Sequence, residues 1–327
     1  MERARIERPL LVVLLIHFCL WLPAFVTLQT VDVVRPVMEI GPYPGPSPHG
    51  YTWSLTLWGV PALAILISLA RAPGRSVSRK AFLLTIVPLL GLGVVLDFAF
   101  GNLFFIFPNP GAALGIFAPG WDWASQSILW NIPLEEFFFY FFGDSVALLI
   151  YLWCDLYWLD RYASPEPYRY QAGRHLLRIS WWPLLLGAAM ILAAWAYKAF
   201  FSDVPDGFPG YFAFLVVVAF VPATLFLTMV ADRINWQAYA SAALTMFFIS
   251  LIWECTIAFP YGWWAYKPDM MMGMYIRAWS NLPVEEPFLW LLVTFSTVLS
   301  YETVRALVQS DESPSVTIFG EGAATRK

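Results

Sequence analysis

Charged side chains are scarce in this chain of 327 residues. Asp, Glu, Lys and Arg together make up 13% of the sequence, whereas soluble domains carry about 25%. Apolar residues account for 59%, and the mean hydropathy is +0.63. These values exclude an ordinary soluble domain and indicate an integral membrane protein. The sequence contains no basic patch, so we expect no nucleic-acid partner.

Residues that bind metals or cofactors are also few. Three cysteines (Cys19, Cys154 and Cys255) and three histidines are scattered, and no Cys-x-x-Cys is present. This pattern predicts neither a disulfide framework nor a metal site. A Gly-x-Gly-x-x-Gly loop and an aspartate-rich Mg²⁺ motif are both missing, so we expect no nicotinamide, flavin or metal cofactor.

Long apolar runs and aromatic rings fill the sequence instead. About 20 apolar residues span a bilayer as a helix, which predicts an all-α bundle of about eight spans. These lie at 9–30, 51–70, 81–101, 129–153, 180–200, 210–230, 236–258 and 282–302. The first run is long for a signal peptide and lacks a convincing cleavage site, so we interpret it as a span. The 17 Trp and 27 Phe exceed what interfacial belts need, and we expect some of these rings to line an apolar cavity.

Positive charge predicts the orientation. Lys and Arg concentrate in alternate connections, most clearly at 71–80 and 161–178. The positive-inside rule then predicts a multi-pass protein of the cell membrane with both termini in the cytoplasm.

One short string occurs twice. Residues 131–136 read Asn-Ile-Pro-Leu-Glu-Glu and residues 281–286 read Asn-Leu-Pro-Val-Glu-Glu, and each string opens an apolar run. Upstream of each string, Asp97 and Glu254 end the preceding span. This predicts an internal tandem repeat, with the working site at the interface of the halves.

The repeat also divides the chain. We predict a first half at 1–153, a cytoplasmic linker at 154–179, a second half at 180–305 and a polar, disordered tail at 306–327.

The string has the composition of a helix start. Asn131 and Asn281 suit N-caps, and the prolines suit a first helical turn. Adjacent helix positions differ by about 100°, so the two glutamates of each pair point in different directions. Tyr140 and Trp290 follow the second glutamates by four residues, on the same face. This favours Glu136 and Glu286 as core acids, with Glu135 and Glu285 close behind.

Two interpretations of these acids compete. Intramembrane carboxyls are costly and usually functional, and clustered acids in an apolar cavity can share protons. We therefore expect at least one of them to be protonated at neutral pH. Alternatively, the glutamates only cap their helices, or pair with Lys267 or Arg277.

At these residues the sequence resembles the heterodimer-type lycopene cyclases, small flavin-independent membrane proteins whose domains each carry a Pro-x-Glu-Glu string. Here the strings are Pro133 with Glu135 and Glu136, and Pro283 with Glu285 and Glu286. Residues 261–266 (Tyr-Gly-Trp-Trp-Ala-Tyr) resemble the aromatic segment upstream of the motif in that family. The chain is therefore similar to a fused tandem pair of such domains.

The resemblance implies an isomerase of carotenoid biosynthesis that cyclises a polyene end group without redox change. An acid protonates a terminal double bond, an internal double bond attacks the cation, and a base removes a proton. The implied partners are a hydrophobic polyene or isoprenoid substrate, membrane lipid and other carotenoid enzymes. The candidate catalytic residues are Glu135, Glu136, Glu285, Glu286, Glu254 and Asp97. The candidate substrate-binding rings are Tyr140, Trp290, Trp263, Trp264 and Tyr266.

Other functions fit the same features. A carotenoid hydratase, or another proton-initiated terpenoid cyclase, shares the first step. A proton-coupled transporter also uses repeats and intramembrane acids, although matched broken helices are missing here. A structural assembly factor is a further alternative. A Glu-Glu intramembrane protease would need nearby histidines, and His17, His49 and His175 lack that spacing.

Overall fold

Helices make up most of the structure, a computed structural model that describes residues 47–71, 77–163 and 181–309. Within these ranges, seven helices are long and apolar enough to cross a membrane. They are α1 (Gly50–Arg71), α2 (Arg79–Phe104), α3 (Leu134–Trp158), α4 (Trp182–Phe201), α5 (Gly210–Val230), α6 (Trp236–Ala258) and α7 (Glu285–Gln309).

These helices confirm seven of the predicted spans, and the eighth, at 9–30, lies outside the described residues. Two spans start and end later than expected. α3 begins at Leu134 and runs to Trp158, into the predicted linker, and α7 begins at Glu285 and runs to Gln309. The residues before each of these helices are held in short strands. The orientation in the membrane stays a prediction.

Helices α3, α6 and α7 form the centre of the bundle. In each of these three helices, half of the residues in the most apolar 18-residue segment are buried. In α4 the corresponding share is 17%. α7 packs against α2, α3, α5 and α6, while α3 packs against α1, α2, α6 and α7. The leucines and valines that α1, α2 and α4 expose suit contact with lipid chains.

Three short antiparallel pairs stand at one end of the bundle. β2 (Phe117–Asp122) pairs with β3 (Ser127–Pro133), and β5 (Tyr275–Ile276) pairs with β6 (Leu282–Pro283). β1 (Phe105–Ile106) pairs with β4 (Ala265–Tyr266), so the predicted halves are joined through their loops. The loops that precede α3 and α7 thus have structure of their own.

The two Pro-Glu-Glu strings enter their helices in the same way. Pro133 is paired with Phe117, and Pro283 is paired with Tyr275. The next amide then donates to the opposite strand. The Leu134 N–H meets the Ile116 carbonyl at 3.0 Å, and the Val284 N–H meets the Met274 carbonyl at 3.0 Å.

This geometry corrects the predicted caps. Asn131 lies inside β3 and donates its Nδ2 to Asn102 Oδ1 at 2.7 Å, so it does not cap α3. Asn281 precedes β6 with a φ of 54°. Both prolines are extended and precede the helix instead of forming its first turn. The prediction failed because pairing with an upstream segment of the chain holds the residues before each helix extended.

Two glycines at corresponding places carry the loops through a left-handed turn. Gly115 and Gly273 both have a φ of 85°. A Cβ on Gly115 would have open space around it, whereas a Cβ on Gly273 would run into the Ser202 side chain.

Alanine at these two glycines should separate backbone strain from crowding. A left-handed conformation costs an L-residue roughly 1–2 kcal/mol, so Gly115→Ala should lower the free energy of unfolding by about that amount. Gly273→Ala should lower it further, because the Ser202 side chain must also move. Thermal unfolding midpoints of the two purified variants in one detergent measure the difference. Equal midpoints would contradict this description of the second loop.

Candidate active site

A cavity of about 210 Å³ lies among α2, α3, α5, α6 and α7. That volume far exceeds the space one water needs. Rings and aliphatic side chains form most of its wall. Five carboxyl side chains also line it: Asp97, Glu136, Asp144, Glu254 and Glu286. A pocket that is mostly apolar with a few converging polar groups is typical of a ligand site.

The first string contributes Glu136 to this wall. The Tyr51 hydroxyl donates to Glu136 Oε1 at 2.8 Å. Asp97, from α2, is buried and lies within hydrogen-bond reach of the Tyr140 hydroxyl. Glu136, Tyr140 and Asp144 succeed one another at four-residue intervals, which places them along one face of α3.

The second string contributes Glu286 in a corresponding way. The Tyr211 hydroxyl donates to Glu286 Oε1 at 3.2 Å, and Tyr266 also lies within hydrogen-bond reach of this carboxyl. The Glu254 and Glu286 carboxyls lie within hydrogen-bond reach of each other. Trp290 donates its Nε1 to Glu254 Oε1 at 2.8 Å. Two acids from different helices thus form one buried pair.

The first glutamate of each string lies off the cavity wall and binds a loop. Glu135 Oε1 accepts the Leu114 N–H at 2.6 Å, and Glu285 Oε1 accepts the Met272 N–H at 2.5 Å. Thr52 also donates to Glu135, at 2.5 Å. Through these contacts, Glu135 and Glu285 each anchor a loop to the start of a helix.

The predicted substrate-binding rings divide into two layers. Tyr140, Trp264 and Tyr266 line the cavity. Trp263 lies behind the wall and stacks on Tyr51, with ring centroids 5.5 Å apart. Trp290 is also behind it and stacks on Trp58, at 5.4 Å. Trp263 thus supports Tyr51, which binds Glu136, and Trp290 binds Glu254 directly.

Tyr266 belongs to a loop strand that reaches the cavity. Burial raises the pKa of the Tyr266 phenol well above its usual range, and the neighbouring Glu286 and Glu254 carboxyls raise it further. The phenol therefore stays neutral and keeps a hydroxyl that can donate toward Glu286.

Within the described residues, no Lys or Arg side chain forms an ion pair with a carboxyl of the cavity wall. Lys267, one of the predicted alternatives, donates its Nζ to the Asn102 carbonyl at 2.6 Å. Asp97 Oδ2 and Glu254 Oε2 are buried and have no hydrogen-bond partner in the described ranges. Each of these two oxygens is therefore available to accept a proton in an apolar environment.

Sequence reasoning missed Tyr51 and Tyr211, which hold the second glutamates. A signal was present: Gly50-Tyr51 and Gly210-Tyr211 are the same dipeptide, and each opens a helix. Asp144 is a further wall residue outside the predicted catalytic set. It lines the cavity, and it also accepts a hydrogen bond from Thr297 Oγ1 at 2.8 Å.

Substitution of Glu285 should distinguish an anchoring carboxyl from a reacting one. Glu285→Ala removes the acceptor of the buried Met272 N–H, and an unsatisfied buried donor costs about 1–3 kcal/mol. Glu285→Gln keeps a carbonyl oxygen at that place and should stay close to wild type in stability. Denaturant titration of both variants in detergent measures this, and equal losses in the two would contradict the anchoring position.

The chain has no match among family models, curated proteins or solved structures. Its assignment to a reaction therefore depends on the residues of the cavity wall and on the resemblance that the two strings carry.

Proposed function

We propose that this chain is an integral membrane enzyme that cyclises the end group of an acyclic polyene by protonating it, in the manner of the lycopene cyclases that its strings resemble. The observation that carries the proposal is the Glu254–Glu286 carboxyl pair on the wall of an apolar, ring-lined cavity. An alkene is a weak base, so its protonation needs an acid that water does not reach.

The carboxyl pair supplies such an acid. An ionised carboxylate only accepts hydrogen bonds, so a hydrogen bond between two carboxyls requires one proton between them. Two carboxylates this close in an apolar site would repel each other, as in the acid dyads of other enzymes. Donors from Tyr211 and Trp290 stabilise the charge that remains after the proton leaves.

The reaction then conserves every atom. The pair donates its proton to the terminal double bond, which forms a C–H bond and leaves a carbocation. The π electrons of an internal double bond form the ring C–C bond and move the positive charge onto the ring. A carboxylate removes a proton from the neighbouring carbon, whose C–H electrons become the ring double bond. Asp97, with its unpartnered Oδ2, is suited to accept that proton.

Rings on the cavity wall suit the cationic intermediate. Tyr140, Trp264 and Phe139 all line the cavity. An aromatic face attracts a cation by about 0.5–2 kcal/mol, more when the cation is desolvated. The rings can therefore stabilise positive charge that develops on the substrate.

Corresponding features of the two loops support an internal repeat with one shared site. Pro110 and Gly115 in the first loop correspond to Pro268 and Gly273 in the second, and both loops pass from a 3₁₀ turn to a short strand pair. The contacts of Glu135 and Glu285 also correspond. We infer that the two parts of the chain are copies of one unit and that their second glutamates converge on one chamber.

A hydratase is the closest alternative, because water can capture the same cation. The masses of the products separate the two reactions: cyclisation leaves the mass of the substrate unchanged, whereas hydration adds one water.

Glutamine at the cavity glutamates should abolish turnover. Glu286→Gln and Glu136→Gln remove a carboxyl from the wall with almost no change of shape, and loss of a general acid or base costs about 10² to 10⁴ in rate. Glu285→Gln and Glu135→Gln, off the wall, should lose far less. The measurement is conversion of lycopene by purified protein in proteoliposomes, followed by chromatography and mass spectrometry.

Two results would count against the proposal. Equal activity in all four glutamine variants would remove the assigned acids. Unchanged lycopene with well-folded wild-type protein would exclude lycopene as the substrate.

A further inference from the structure

Helices α2 and α5 both line the cavity, and α2 brings an exposed residue to its wall. Leu92 lines the cavity, yet 45% of its surface is exposed. It lies midway along α2, far from either end of the helix. A side chain that is both on the wall and exposed marks the mouth of the cavity. In a membrane-spanning bundle, the middle of a helix faces hydrocarbon.

Aromatic rings close the gap between these helices near the loops. Phe214, close to the start of α5, lies 5.5 Å from Phe100 and 5.2 Å from Phe104, measured between ring centroids. Leu92 is two turns or more from these rings along α2. The opening therefore lies at the level of the membrane interior, below an aromatic closure.

The α5 side of the opening has an unusual backbone. Residues Val216–Phe220 form a π-helical turn, a rare feature that is common at functional sites. Val218 and Ala219 from this turn line the cavity, while Val217 points away and is 59% exposed. On the α2 side, Gly93 lines the cavity beside the Tyr140 ring. Gly93 therefore lets the Tyr140 ring approach α2 closely.

We propose that this opening admits the substrate of the proposed function, an acyclic isoprenoid hydrocarbon, directly from the bilayer and end first. The inference rests on the proposed function for the identity of the hydrocarbon. A long hydrocarbon resides among lipid tails, because its transfer into water costs about 0.8 kcal/mol per CH₂.

The cavity volume fits one end of such a chain. Pockets that enclose a whole drug-sized ligand measure about 300–1,000 Å³, and this cavity measures about 210 Å³. An end group can therefore reach the carboxyls while the remainder of the chain lies in the opening and in lipid. The same geometry makes the opening the feature that selects long, apolar, acyclic chains.

Paired tryptophan substitutions test the opening. Leu96→Trp and Val218→Trp place a large ring in the passage. Val95→Trp and Val217→Trp change the neighbouring residues, which are 62% and 59% exposed and face outwards. All four substitutions introduce the same ring, and each inward position is adjacent to its outward control. We expect lycopene conversion in proteoliposomes to fall about tenfold or more in the first two variants and to stay near wild type in the other two.

Photolabelling gives a readout that does not depend on turnover. A C15 isoprenoid hydrocarbon bearing a diazirine is irradiated with the wild-type protein in proteoliposomes, and adducts are mapped by mass spectrometry. We expect adducts at the α2 and α5 wall residues that decrease when lycopene is added. They should also be lost in Leu96→Trp and Val218→Trp but kept in Val95→Trp and Val217→Trp.

The outcomes separate this inference from the proposed function. Equal effects of the inward and outward tryptophans on labelling would overturn the opening, whatever the enzyme does. Wall adducts that a diazirine phospholipid forms equally well, and that lycopene does not displace, would overturn it in favour of a lipid-filled crevice. Wall adducts with the expected variant pattern, in protein that leaves lycopene unchanged, would support the opening and remove only the proposed reaction.

Discussion

The contact between the Glu254 and Glu286 carboxyls is the interaction on which the functional interpretation depends. Acids inside a membrane bundle are costly, and the cost is reduced only where donors surround them. Here Tyr211 and Trp290 supply those donors, and Tyr266 lies close by. Glu254 itself begins a π-helical turn at the end of α6. Such a cluster keeps a proton in a place that bulk water does not easily reach.

The two glutamates of each string divide their tasks because helix geometry separates them. Adjacent positions point about 100° apart, so one carboxyl can hold a loop while its neighbour faces the bundle. In both copies the first glutamate binds a loop N–H and the second lines the cavity. The loop contact fixes where each helix begins. It therefore also fixes the direction in which the second carboxyl points.

Local patterns predicted the features that are local in origin. Hydropathy located the seven described spans, and the four-residue spacing placed Tyr140 and Trp290 near the second glutamates. The hydrogen bonds that complete the site cross between helices. Tyr51 lies 85 positions before Glu136, and Tyr211 lies 75 before Glu286. Periodicity within one helix contains no information about such partners. The misassigned caps at Asn131 and Asn281 have a different origin, since strand pairing just before α3 and α7 delays the start of each helix.

Infrared spectroscopy of the protonated carboxyls tests the central claim most directly. The wild-type protein in detergent at neutral pH should show a protonated carboxyl C=O stretching band that shifts on exchange into heavy water. Glu254→Gln and Glu286→Gln should each remove the same component of that band, because the two acids share one proton, while Glu285→Gln should retain it. Wild-type and variant spectra that superimpose in this region would contradict a shared proton and, with it, the proposed acid.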